Sequence, residues 1–157
     1  LNIPKKYVKI GLGRQLNIKR RFEIIKKNPF VVHDYAHHPT EIKETVQTFK
    51  KCTDKKILVV FQPHTYSRTK TLFYEFLKCF DDVNELHIIK TYSAREKFDK
   101  TASGFALYKA LKSMGKNCKY YASYLVAKEK IQEKTMQGYD VLILGAGDIE
   151  NLAYSLK

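Results

Sequence analysis

From Phe30 onward, short runs of consecutive apolar residues alternate with amphipathic stretches, and this alternation restricts the fold more than any other feature. Phe30–Asp34, Lys56–Gln62 (KILVVFQ), Glu85–Lys90 (ELHIIK), Cys118–Ala122 and Asp140–Leu144 (DVLIL) read as strands. Short runs that are mostly apolar, KILVVFQ and DVLIL above all, belong to strands buried on both faces of a parallel sheet. Between them the apolar spacing becomes helical. Ile42, Val46 and Phe49 share one face of a helix over 41–52 with Thr40 as its cap, and Leu72, Phe73, Phe76, Leu77 and Phe80 share one over 69–80. Ser103 can cap a helix carrying Ala106, Leu107, Ala110 and Met114 inward. Ser123–Met136 reads as a further helix stopped by Gly138. Asp148 can cap a last one with Ile149, Leu152, Ala153 and Leu156 on one stripe. The pattern predicts a Rossmann-like α/β fold: a mostly parallel sheet of five or six strands, helices on both faces, and right-handed crossovers.

The first 28 residues do not follow this rhythm. Ile3–Leu16 fits a short helix interrupted at Gly11-Leu12-Gly13, and Arg20–Lys26 (RRFEIIK) fits an extra edge strand that an antiparallel pairing would suit. Residues 1–28 are read as the tail of a preceding domain and a hinge, and residues 29–157 as the domain proper. A chain starting at Leu1 also suggests a piece of something longer. No apolar run approaches the roughly 20 residues of a membrane span. Three scattered cysteines, Cys52, Cys79 and Cys118, lack CxxC spacing and fit a reducing cytoplasm. The net charge of +13 is carried mostly by lysines spread along the chain. That favours a solvated lysine-rich surface or anionic substrates over a concentrated nucleic-acid face. Against that background the few arginines stand out, because a guanidinium supplies a planar two-pronged donor that lysine lacks.

In an open parallel sheet, ligands bind beyond the carboxyl ends of the strands. The segments there are His33–Thr40, Gln62–Thr69, Tyr92–Glu96 and Gly145–Asp148, and the first two hold four of the five histidines. A metal site built from His33, Asp34, His37 and His38 is one reading, though no ligand spacing supports it. Capping and substrate contact are the others. The Gly145-Ala146-Gly147 segment fits either a tight turn or close approach of a ligand to backbone N–H groups. No GxxxxGK[ST] phosphate loop occurs in the chain.

The motifs RRFE (Arg20–Glu23), DYAHHPTEI (Asp34–Ile42), FQPHTYSRT (Phe61–Thr69), YSAREK (Tyr92–Lys97) and GAGDI (Gly145–Ile149) resemble, in order, the C-terminal domain of the Mur ligase family. The DYAH element is shared with folylpolyglutamate synthases and with murein-peptide recycling ligases. The double histidine with QPHxYSRT is similar to the alanine-adding branch. The resemblance implies one domain of a cytoplasmic, ATP- and Mg2+-dependent ligase of peptidoglycan synthesis, joining L-alanine to UDP-N-acetylmuramate through an acyl phosphate. The phosphate loop and magnesium ligands would lie in a central domain, and the isolated chain is expected to be inactive. Neither nucleic acid nor membrane is an expected partner.

By the same resemblance, Arg21 would lie near the nucleotide phosphates and Asp34 would anchor the ribose or phosphate side. Tyr35 and His37 would face the amino acid, and His64 with Arg68 would form the loop that holds its carboxylate. Many family members have arginine where this chain has Thr65, and an acidic residue where it has His33. Adjacent parallel strands would bring Tyr35, His37, His64 and Arg68 together. His37 is the first choice for the base that takes the amine proton, with His64 the alternative.

Overall fold

A computed structural model describes residues 4–7 and 18–157. The helix expected over Ile3–Leu16 and the Gly11-Leu12-Gly13 turn lie outside the described residues, apart from one helical turn at 5–7. The strands are β1 (Glu23–Lys27), β2 (Phe30–Asp34), β3 (Lys56–Phe61), β4 (Glu85–Ile89), β5 (Cys118–Tyr121) and β6 (Tyr139–Leu144). The helices are α1 (Pro39–Lys50), α2 (Tyr66–Thr71), α3 (Phe73–Phe76), α4 (Gly104–Ser113), α5 (Tyr124–Met136) and α6 (Ile149–Tyr154). One six-stranded sheet has the order β1-β2-β6-β3-β4-β5. Only β1 is antiparallel, against β2; every other pairing is parallel.

The sheet is covered on both faces. Phe49 of α1, Phe76 of α3, Phe80, and Leu107 and Leu111 of α4 pack on one side against Val59, Phe61 and Leu86. Ala127 and Ile131 of α5, with Ile149, Leu152 and Ala153 of α6, cover Leu58, Val60, Val141 and Ile143 on the other. Each wholly buried Phe, Leu or Ile contributes about 1.5–3 kcal/mol relative to exposure. Among the described residues no helix is long and apolar enough to cross a membrane.

The strand order corrects one expectation. β2 and β3 are not neighbours, because β6 lies between them. The helix after β6 packs on the opposite face from the helices after β2 and β3. Loops leaving these three strands therefore diverge, and a crevice opens beyond their carboxyl ends.

Three helix readings are also corrected. The helix expected over 69–80 is two short ones, α2 and α3, broken at Leu72 (φ −109°, ψ 25°). The first piece is rich in Ser and Thr, and Thr69 Oγ1 donates back to the Thr65 carbonyl at 2.7 Å, a bond that competes with regular helix. Thr40 does not cap α1. His38 does, its Nδ1 accepting from Thr40 N at 3.3 Å while Glu41 accepts from His38 N. On α4, Ser103 caps as expected by accepting from Ala106 N, but Leu111 rather than Met114 turns inward, and Met114 is exposed.

His33, on β2 one strand in from the sheet edge, is fully buried, and neither ring nitrogen has a hydrogen-bond partner among the described residues. Burial, reinforced by the charge of Arg20 and opposed by Glu23, Asp34 and Glu150, holds this ring below the ordinary histidine range. Below about pH 6.5 the unfolded chain then binds a proton that the folded chain refuses, so stability falls as pH falls through that window. His33→Leu should shrink the loss of stability between about pH 7 and 5. Thermal unfolding midpoints of both proteins across that range check this, and an unchanged drop would refute it.

Candidate active site

The crevice is built from four loops. After β2 the chain passes Asp34, whose carboxylate accepts from Phe22 N at 2.7 Å and Ala36 N at 2.8 Å. The Tyr35 amide donates to the Arg20 carbonyl at 2.7 Å. Asp34 thus ties segment 20–22 to the end of the sheet, although Arg20 and Phe22 adopt positive φ there. Both guanidiniums lie over the Tyr35 ring, Arg20 at 5.4 Å and Arg21 at 5.1 Å from its centroid. They differ in what else they do. Arg20 pairs with Glu150 at 2.5 Å. Arg21 is exposed and has no ion-pair partner among the described residues, so its charge is available to an anion.

From Tyr35 a row of rings crosses the crevice. Tyr35 meets His37 edge to face at 5.3 Å, His37 meets His64 at 5.8 Å, and His64 stacks on Tyr92 at 5.3 Å and 12°. Tyr35, His37, His64 and Arg68 therefore converge, but over the end of β6 rather than between adjacent strands. Small residues make this possible. A Cβ on Gly147 would lie 2.5 Å from the Tyr92 ring and 2.6 Å from Gln62 Oε1. Any side chain there would displace the residues that let the two outer loops meet.

Hydrogen-bond chemistry separates the two candidate bases. Arg68 Nη1 donates to the His64 carbonyl at 3.0 Å and contacts His64 Nδ1 at 3.2 Å. A guanidinium can only donate, so Nδ1 of His64 is the acceptor and is occupied. Burial, with the charges of Arg68 and His37 beside it, pushes His64 below its ordinary value and keeps this neutral form. His37 is arranged the other way. Its Nδ1 lies 3.0 Å from the Tyr35 carbonyl, with Glu41 at 3.4 Å. A carbonyl can only accept, so Nδ1 carries a proton, and in the neutral ring the lone pair lies on Nε2.

Arg68 borders an open cavity of about 370 Å³ with His64, Thr65, Ser67, Thr71 and Leu72. Only its Nη1 is bound within the protein among the described residues, which leaves Nε and Nη2 as a free two-pronged donor. The other histidines of these loops have structural duties: His33 is buried and His38 caps α1. Among the described residues no three His, Cys, Asp or Glu side chains gather as a metal site would require.

Sequence reasoning missed several residues that shape the crevice. Gln62 is fully buried. Its Nε2 donates to Asp148 Oδ1 at 2.8 Å, and its Oε1 accepts from Ile149 N at 3.1 Å. Asp148 therefore does not cap α6 with its own side chain; it orients Gln62, which does, and it accepts from the Tyr124 hydroxyl. Burial and the Asp148 carboxylate raise the Tyr124 hydroxyl well above the ordinary tyrosine range, so it stays a donor. A lone Gln ending an apolar strand was the available signal for this network. Tyr92 and Glu96 lay in a quoted motif but carried no assigned role.

Residues 20–147 match the family model described as Mur ligase, glutamate ligase domain. The chain belongs to the Mur ligase family. Over 150 residues it is 41% identical to a UDP-N-acetylmuramate–L-alanine ligase from Clostridium perfringens, an alignment covering 94% of this chain and 33% of that protein. This chain thus spans about a third of the length of the curated relatives it matches. Among solved structures, UDP-N-acetylmuramate-alanine ligase from Thermotoga maritima superposes with a TM-score of 0.67 at 26% identity, covering 95% of this chain and 34% of that one. A folylpolyglutamate synthase from Mycobacterium tuberculosis shares the fold alone, with a TM-score of 0.71 at 12% identity over 99% of this chain and 35% of that one.

Proposed function

We propose that this chain is the amino-acid-binding domain of an ATP-dependent ligase that joins L-alanine to UDP-N-acetylmuramate in peptidoglycan synthesis. The observation that carries the proposal is the convergence of His37, His64 and Arg68 over β6, in a chain 41% identical to a ligase named for that reaction. The free edge of Arg68 suits the alanine carboxylate, which a guanidinium grips with two N–H groups. The alanine ammonium must lose a proton before it can attack, and His37 Nε2 is the lone pair on the crevice wall that can take it. The neutral ring of His64, held by Arg68 and Tyr92, keeps the guanidinium in place beside the open cavity it lines.

ATP activates the muramoyl carboxylate as an acyl phosphate, and phosphate leaves when the amine attacks. This chain's contribution on that side is Arg21. Set over the Tyr35 ring and without an ion-pair partner among the described residues, it can stabilise negative charge on phosphate oxygens. Asp34, each of whose carboxylate oxygens accepts one backbone N–H, holds the segment that carries Arg21 on the nucleotide side. In this reading Mg2+ and the remaining nucleotide contacts belong to other parts of the longer protein.

Phosphate release by the full-length protein tests the reading. It should require ATP, UDP-N-acetylmuramate and L-alanine together, with no turnover when glutamate or a murein tripeptide replaces alanine. Turnover with either substitute but not with alanine would refute it. In the same assay Arg21→Ala should lower kcat at least tenfold, and Arg21→Lys should recover little, because one ammonium cannot reproduce a planar fork. Full recovery with Lys would show that only charge matters at this position.

A further inference from the structure

Glu96 stands on the loop after β4, yet its carboxylate is bound to the start of α2. Its Oε1 accepts from the Thr65 hydroxyl at 2.6 Å and from the Ser67 hydroxyl, and its Oε2 accepts from Ser67 N at 2.9 Å. Thr65 is the residue at the N-cap of α2, but its side chain makes no capping bond. Its hydroxyl is turned to Glu96 instead, and Glu96 takes the Ser67 amide that a capping threonine ordinarily takes. α2 is thus capped from 29 residues away in sequence. Its first turn carries Arg68.

The same segment supports Arg68 from a second side. Tyr92 N donates to the Pro63 carbonyl at 2.9 Å, and the Tyr92 ring stacks on His64, whose carbonyl and Nδ1 receive Arg68 Nη1. Ala94 adopts φ 53°, and Glu96 N closes a turn onto the Ser93 carbonyl at 2.9 Å, which sends the Glu96 side chain back toward α2. The three donors from Ser67 and Thr65 hold the Glu96 carboxylate down at about 2, so it remains the charged acceptor this cap needs.

We infer that Glu96 is a positioning residue for the amino-acid carboxylate: it holds the α2 turn so that the free edge of Arg68 faces the crevice. The inference rests on the alanine-binding reading above. It also gives Thr65 a role. In this chain that position does not supply a second cation; it joins the support beneath a single arginine. Glu96→Gln keeps the shape but removes the charge and replaces one acceptor oxygen with an NH2 group, so either the Ser67 amide loses its acceptor or the two hydroxyls must turn from donating to accepting.

The test uses the full-length protein in two arms. In steady-state assays, Glu96→Gln should raise the KM for alanine roughly tenfold, with the KM for ATP and the melting temperature little changed. In an Arg68→Ala background the same substitution should add almost nothing, because a residue that acts through Arg68 has no effect once Arg68 is gone. In hydrogen exchange read by mass spectrometry, peptides covering residues 64–72 should exchange faster in Glu96→Gln, and the central strands should not. An unchanged alanine KM, or a full additional increase in the Arg68→Ala background, overturns the positioning role. Unchanged exchange over residues 64–72 overturns it as well. A wild-type enzyme that does not use alanine would instead defeat the functional reading, and the exchange arm would then decide by itself whether Glu96 holds the Arg68 turn.

Discussion

Replacing His37 with alanine in the full-length ligase is expected to lower kcat by about 10²–10⁴-fold, the range typical of a positioned general base, while the KM for alanine changes little. The expectation rests on which nitrogen is free. The Tyr35 carbonyl fixes a proton on Nδ1, with Glu41 beside it, so in the neutral ring Nε2 is the acceptor. His64 cannot serve in the same way while Arg68 occupies its Nδ1. His64→Ala should therefore act mainly on alanine binding, by loosening Arg68, with a smaller loss in kcat. If the two substitutions exchanged these effects, the assignment of the base would be reversed.

Arg68→Ala is expected to raise the KM for alanine well above tenfold and leave the KM for ATP nearly unchanged. Loss of a charge-assisted contact costs roughly 1.5–3 kcal/mol, a factor of about 10 to 150. Arg68 also braces His64, so some loss of kcat should accompany the change. Arg68→Lys should recover part of the affinity, because charge is restored without the two parallel N–H bonds. A folded Arg68→Ala enzyme with wild-type KM for alanine would place the amino acid elsewhere and remove the loop after β3 from the site.

Parts of this site were legible because they depend on local chemistry. The segments beyond the carboxyl ends of β2 and β3 could be located from KILVVFQ and its neighbours, and their unusual share of histidine was visible at once. Which histidine does what was not visible. His33, His37 and His38 lie within six positions, yet one is buried in the sheet, one faces the crevice and one caps a helix. That division follows from the pleat of β2 and from the point where α1 begins, and a one-residue shift would reassign all three. Glu96 was hidden for a different reason. Its partners Thr65 and Ser67 are distant in sequence, and no local pattern marks a carboxylate that caps another loop's helix.

The amino-acid order alone determined the α/β class, the strand positions and the edge of the sheet where polar residues collect. These follow from periodicity and burial, which act over a few neighbouring residues. Tertiary structure decided what depends on contacts between distant segments. It placed β6 between β2 and β3, so that the two outer loops meet over a glycine-lined end rather than side by side. It broke the helix expected over 69–80 at Leu72. It also turned Asp148 from a helix cap into the acceptor that orients Gln62. Strand order and side-chain partnership are choices among long-range pairings, and a chain whose local pattern suits several of them makes that choice only when it packs.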